Sequence, residues 1–133
     1  MAKTPMVGAT CLINEDLVIK GGADFFAQWR YDKTAPNGGR DPIDMSKWKG
    51  YLAFGFGSEN YRELDDCVTL TEDGWACIHL TPAVTKDLSE KRKGDVTYDY
   101  ELVLKTDQDY IISFVEGKAL VTDMLVNIPG GEE

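Results

Sequence analysis

Apolar side chains recur at every second position along much of this chain, most clearly in residues 94–121, GDVTYDYELVLKTDQDYIISFVEGKALV. Tyr98, Tyr100, Leu102 and Leu104 fall in one phase, and Thr97, Asp99, Glu101 and Lys105 in the other. A period of two belongs to a strand with one buried face and one wet face. The polar break TDQD ends the first arm, and Ile112 and Phe114 mark a second, so the segment predicts a β-hairpin.

The same grammar extends upstream. Leu17 and Ile19 share a phase and predict a strand near residues 15–20, closed by a turn at Gly21 and Gly22. In DFFAQWRYD, Phe25, Ala27, Trp29 and Tyr31 alternate with Phe26, Gln28 and Arg30, and the more apolar set is expected to face the core. Residues 33–47, KTAPNGGRDPIDMSK, hold two prolines and an Asn-Gly-Gly run and read as turn and loop. WKGYLAFGF resumes the sheet, with Gly50, Gly55 and Gly57 marking bulges or a close neighbour, and GSENYRELDD reads as a polar connection.

CVTLTEDGWACIHL reads as a hairpin built on Asp73 and Gly74. Its second arm sets Ala76, Ile78 and Leu80 on one face and Trp75, Cys77 and His79 on the other. Long faces of period 3.6 are missing. TPAVTKDLSEKRKG is the single helix candidate, with Thr81 to cap it, Pro82 at its first position, Gly94 to end it and a thin stripe of Val84 and Leu88. Residues 122–133 read as an apolar run and an acidic tail. The sum is an all-β fold, an antiparallel sandwich or barrel of about seven to eight strands with one short helix. Its core is expected to contain Leu17, Ile19, Trp29, Leu52, Phe54, Ile78, Leu80, Tyr100, Leu102, Ile112 and Phe114.

Composition narrows the function. The 133 residues suit a single domain, with a core over about residues 15–127 between loose tails, large enough to stand without covalent staples. A net charge of −9 disfavours nucleic acid and anionic membrane as partners. Cys11, Cys67 and Cys77 make an odd number, which predicts reduced thiols and folding in a cytoplasm. No apolar run has the length of a membrane span, and the N-terminal residues lack the apolar core of a signal peptide.

Chemistry is sparse. Cys77 and His79 share a strand face and could converge with Cys11 and Cys67 on zinc, but structural zinc sites use Cys knuckles at turns and none is present. His79 is the only histidine, and no orienting group for a His–Cys pair is identifiable. The carboxylate pairs Asp65–Asp66, Glu72–Asp73, Asp107–Asp109 and Asp41–Asp44 fall in turns, where Asp serves the backbone. GFGSEN lacks the Lys-Ser/Thr that completes a phosphate loop. The expectation is no catalytic residue, no metal and no cofactor. Trp29, Trp48, Trp75, Tyr31, Tyr51 and Tyr61 could form a carbohydrate platform, but most stand in core phases.

The order of segments carries more than any one motif. DLVIKGGADFFAQWRY, DPIDMSKWKGYLAFGF, TLTEDGWACIHLTPAVTKDL and the 94–121 hairpin resemble, over about residues 15–127, small structural proteins encoded among the virion genes of tailed bacteriophages and prophages. They are also similar to the N-terminal anchoring domain of the baseplate upper protein and of related tail-fibre proteins. The resemblance implies an Ig-like β-sandwich and a non-enzymatic role in a virion, after synthesis in the bacterial cytoplasm. It implies other virion proteins as partners, in a multi-copy assembly. Fibre proteins continue into a shaft where this chain ends, so an adaptor, decoration or head–tail component is expected. The competing reading is a stand-alone ligand- or carbohydrate-binding β-sandwich. The candidate contact residues are Pro36, Asn37, Gly38, Gly39 and Arg40 at the loop tip, then Trp75 and His79, then residues 122–133.

Overall fold

The computed structural model describes residues 13–34, 38–57, 59–90 and 95–123. Thirteen elements run in the order β1 (Ile13–Asn14), β2 (Leu17–Gly21), β3 (Phe25–Arg30), β4 (Asp32–Thr34), β5 (Arg40–Pro42), β6 (Lys49–Phe56), β7 (Glu59–Glu63), a 3-10 turn (Asp65–Cys67), β8 (Val68–Leu70), β9 (Trp75–Leu80), α1 (Pro82–Ser89), β10 (Val96–Lys105) and β11 (Ile111–Asp123). The fold is all-β and sandwich-like, with one short helix. A large sheet in the order β11-β10-β6-β7, with β1 and β2 both joined to β11, faces a small sheet in the order β3-β9-β8. Most pairings are antiparallel, but β1 and β2 run parallel to β11.

The alternation seen in the sequence becomes the core. In β10, Val96, Tyr98, Tyr100, Leu102 and Leu104 are buried, and the residues between them are partly or fully exposed. Ala76, Ile78 and Leu80 of β9 and Trp29 of β3 meet them from the small sheet. The β10–β11 register slips between Leu102 and Val103, so that Leu102 faces Val115 while Val103 faces Ser113. Phe114 is the extra residue of this bulge. The core phase of β11 therefore switches from even to odd: Phe114 and Val115 are both buried, and Ala119 and Val121 follow. Ile112, expected inside, lies before the bulge near the strand end and is only half-buried against the core.

Two other expectations change. GSENYRELDD is not a connection. It supplies β7, paired with β6 through a bulge at Phe54 and Gly55. The bulge leaves Tyr61 unopposed in the register, and Tyr61 stacks on Tyr98 with ring centres 5.6 Å apart. Its polar residues suit an edge strand that must not recruit another chain. The 33–47 loop is partly strand, because β4 and β5 form a two-stranded ribbon.

The helix closes one end. Thr81 caps it by accepting from the Val84 N–H, and Pro82 stands in the first turn. Leu88 is buried, and its carbonyl accepts from the Tyr98 hydroxyl at 2.6 Å. Fully buried Thr85 ties the helix to the corner between β2 and β3. Its hydroxyl accepts from the Gly22 N–H at 2.9 Å and donates to the Ala23 carbonyl at 2.8 Å. A Cβ at Gly21 would lie 2.5 Å from Ser89 Cβ, so this close approach requires glycine. Glu15 joins the two sheets, accepting on its carboxylate from Trp29 Nε1 at 2.7 Å and on its carbonyl from the Tyr100 hydroxyl.

Candidate functional site

The face of the small sheet turned away from the core is built by three cross-strand pairs. The Tyr31 N–H donates to the Gly74 carbonyl at 2.8 Å, which makes that pair a hydrogen-bonded one. Alternation in an antiparallel ladder then makes Phe26–His79, Gln28–Cys77 and Arg30–Trp75 the closer, non-hydrogen-bonded pairs. Phe26 and His79 stack with ring centres 4.4 Å apart and planes 8° from parallel. His79 Nε2 lies 2.8 Å from Asp24 Oδ1, which orients the imidazole. The Cys77 thiol donates to Gln28 Oε1 at 3.8 Å. Arg30 places its guanidinium carbon 5.7 Å from the centre of the Trp75 ring and its Nε 3.0 Å from Asp32 Oδ1.

Each rung is held by a neighbour before any partner arrives. Phe26 is nevertheless 70% exposed, the most exposed of the described large apolar side chains. Between the first two rungs lies a shallow depression of about 280 Å³, floored by Ala27 and Ile78 and edged by Thr69. Burial, and then the charge of Asp73, raises the Cys77 thiol above its ordinary range, and burial followed by Asp66 does the same for Cys67. Both thiols stay protonated at neutral pH, which makes them poor nucleophiles.

The sequence candidates divide into three groups. Trp75 and His79 stand on one face, at opposite ends of this ladder. Arg40 joins them indirectly, with its Nε 3.9 Å from Asp32 Oδ2, so Asp32 links Arg40 to Arg30 and hence to Trp75. Gly38 and Gly39 lie exposed beside Arg40, while Pro36, Asn37 and residues 124–133 lie outside the described residues. Asp24, Phe26, Gln28 and Arg30 were not singled out from the sequence. Their signal was the outward phase of β3 combined with an outward aromatic.

A second concavity, of about 740 Å³, lies on the outer face of the large sheet. Asp16, Glu59, Asp99, Glu101 and Glu116 line it, together with Lys118. Lys118 Nζ closes on Asp99 Oδ1, and Asp99 Oδ2 accepts from the Gly57 N–H at 2.6 Å. The lysine hydrogen bond, then that of Gly57, holds the Asp99 carboxyl below its usual range, and Asp99 in turn raises Lys118.

Four of the six platform candidates, Trp29, Tyr31, Trp48 and Tyr61, pack into or against the core. Trp29 is buried, Trp48 packs edge-on against Tyr31 with ring centres 6.1 Å apart, and Tyr61 lies against Tyr98. No described group of three or more His, Cys, Asp or Glu side chains is arranged to hold a metal ion. No described helix is long and apolar enough to cross a membrane.

No family model matches the chain, and no curated protein does. Among solved structures it is similar to a family 123 glycoside hydrolase from Clostridium perfringens, at 13% identity and a TM-score of 0.36. The likeness covers 89% of this chain and 24% of that one, so the chain spans about a quarter of the hydrolase. At this level it carries no argument about activity.

Proposed function

We propose that this domain is a non-enzymatic building block of a tailed-phage particle, a tail, baseplate or fibre adaptor or a head–tail component. It acts through protein–protein contacts made by the outer face of the small sheet. The ladder Phe26–His79, Gln28–Cys77, Arg30–Trp75 is the observation that carries the contact surface. It combines the exposed Phe26, the half-buried Trp75 and an arginine in geometries already fixed by Asp24 and Asp32. Aromatic and arginine anchors dominate interface energetics, and fixing them beforehand lowers the entropy lost on binding. The placement in a phage particle rests on the order of segments, and a sandwich-like fold is of the kind that order implies.

The test replaces Phe26 by Asp and, separately, Trp75 by Ala in a genome that yields particles. Both side chains stand outside the core, so thermal unfolding of the purified variants should stay close to the parent. Incorporation into particles is expected to fall roughly tenfold or more, the loss expected at an interface anchor. Incorporation at the parental level by both variants would remove this face as the contact. A glycan screen with binding that Trp75→Ala abolishes would favour the carbohydrate-binding reading instead.

A further inference from the structure

Among the described residues, the strand that carries half of the ladder is also an open sheet edge. We infer that β3 pairs with β3 of a second copy of this chain, antiparallel and about a two-fold axis at Gln28, merging two small sheets into one of six strands. The inference rests on the non-enzymatic assembly reading above and names one of its contacts.

The hydrogen-bond parity decides which groups are available. Phe25, Ala27 and Trp29 are in the hydrogen-bonded pairs with Leu80, Ile78 and Ala76, so their N–H and C=O groups point at β9. The N–H and C=O groups of Phe26, Gln28 and Arg30 therefore point outward. Among the described residues no strand pairs with that side of β3. The inward-facing Phe25 and Ala27 remain half-buried there, as they do beside an open edge.

Natural edge strands are protected by bulges, prolines, lysines or inward-pointing charges. In the other sheet β7 has such protection, with a bulge and with Glu59, Arg62 and Glu63 along it. Strand β3 has none of these: FFAQWR is regular, six residues long and free of proline and lysine, and its only charge, Arg30, points outward. An edge left in this state is suited to pairing.

Charge selects the occupant. The chain carries −9, so most of its faces would set carboxylate against carboxylate in a self-complex. On the ladder face the two flanking carboxylates are already engaged, Asp32 by the Arg30 guanidinium and Asp24 by the His79 imidazole. A two-fold axis at Gln28 sets each Phe26 beside Arg30 of the other copy and Gln28 beside its own counterpart. Phe26 presents the ring face not covered by His79 to a cation, and the two amides can exchange hydrogen bonds. Asp24 and Asp32 of opposite copies approach at the ends, Asp32 engaged by its own Arg30 guanidinium and Asp24 by its own His79 Nε2.

The test uses the full chain in two measurements. Sedimentation equilibrium over rising concentration should show mass moving from 14.8 kDa to twice that value. Gln28→Pro should hold it at the monomer mass with its thermal transition retained, because the N–H it removes is not used within the fold. Residue-resolved hydrogen exchange of the unmodified chain provides an arm that no misfolded variant can spoil. The amides of Phe26, Gln28 and Arg30 should exchange rapidly when dilute and become at least tenfold slower when concentrated, while those of Phe25, Ala27 and Trp29 stay slow throughout. A chain that is monomeric at all concentrations would overturn the inference, as would a dimer that leaves the three amides fast. Protection of those amides at every concentration would do so too, since the edge would then be covered by the chain itself. None of these failures would touch the assembly reading, which is decided by incorporation into particles.

Discussion

Leu102→Ala tests the strand phase on which the whole core depends. Leu102 is 0% exposed, at the middle of β10, paired with Leu52 on one side and Val115 on the other. Removing three carbon-sized groups from this site loses about 2–3 kcal/mol of burial free energy. A cavity term is added, because β10 is flanked by strands on both sides and roofed by the small sheet. The total belongs in the upper part of the range for buried leucines, about 3–5 kcal/mol. Urea denaturation should show a lower midpoint at an unchanged slope, the sign of lost stability rather than a changed unfolded state. Thr97→Ala, on the exposed phase of the same strand, is the control and should stay within about 0.5 kcal/mol of the parent. If Leu102→Ala costs less than about half a kcal/mol, residues 98–104 do not face the core as described.

Gly74 has φ +90, and a Cβ there would lie 2.9 Å from the Tyr31 carbonyl oxygen, so Gly74→Val should cost at least about 1–3 kcal/mol by chemical denaturation and weaken the Arg30–Trp75 rung. Thr85→Val keeps the shape of a buried side chain but strips partners from Gly22 N–H and Ala23 C=O; a loss of about 1–3 kcal/mol is expected, with faster hydrogen exchange at Gly22. The depressed Asp99 pKa stabilises the fold above the ordinary carboxylate value of 3.8, and this contribution is lost as pH falls through the lower folded value. The raised Lys118 pKa stabilises below 10.5, and that contribution is lost as pH rises through the higher folded value. Asp99→Asn should therefore differ from the parent across neutral pH and converge with it in strong acid, as read by thermal unfolding against pH. Alkylation of Cys67 and Cys77 should show apparent pKa values above the ordinary 9.0 in the folded chain and return to it in denaturant.

Much of this fold was written in period two. The phases of β2, β3, β9 and β10 followed from alternation, and the Asp73–Gly74 turn and the Thr81 cap followed from local chemistry. The misses share a cause. Residues 111–121 carry two phases joined by a bulge, and one extra residue in a strand leaves no mark that a fixed period can detect, so Val115, Ala119 and Val121 were lost and Ile112 was overrated. Strand β7 was missed because its charged residues obey the needs of an edge, which resemble those of a loop. Met45 is fully buried inside a segment rich in turn residues, where burial depends on tertiary position alone. The ladder was half legible. Trp75 and His79 stood out because aromatics in an outward phase are uncommon, but their partners on β3 depend on a register set by strands more than forty residues apart, Gln28 and Cys77 being separated by 49 positions.

A structural component of a tailed-phage particle, the role proposed for this chain, must be present in the particle itself. Quantitative mass spectrometry of gradient-purified particles decides this. This chain is expected at a constant number of copies per particle, in a ratio to the major structural proteins that fits a symmetric ring or shell. Its absence from particles whose host cells contain the protein would rule the proposed role out.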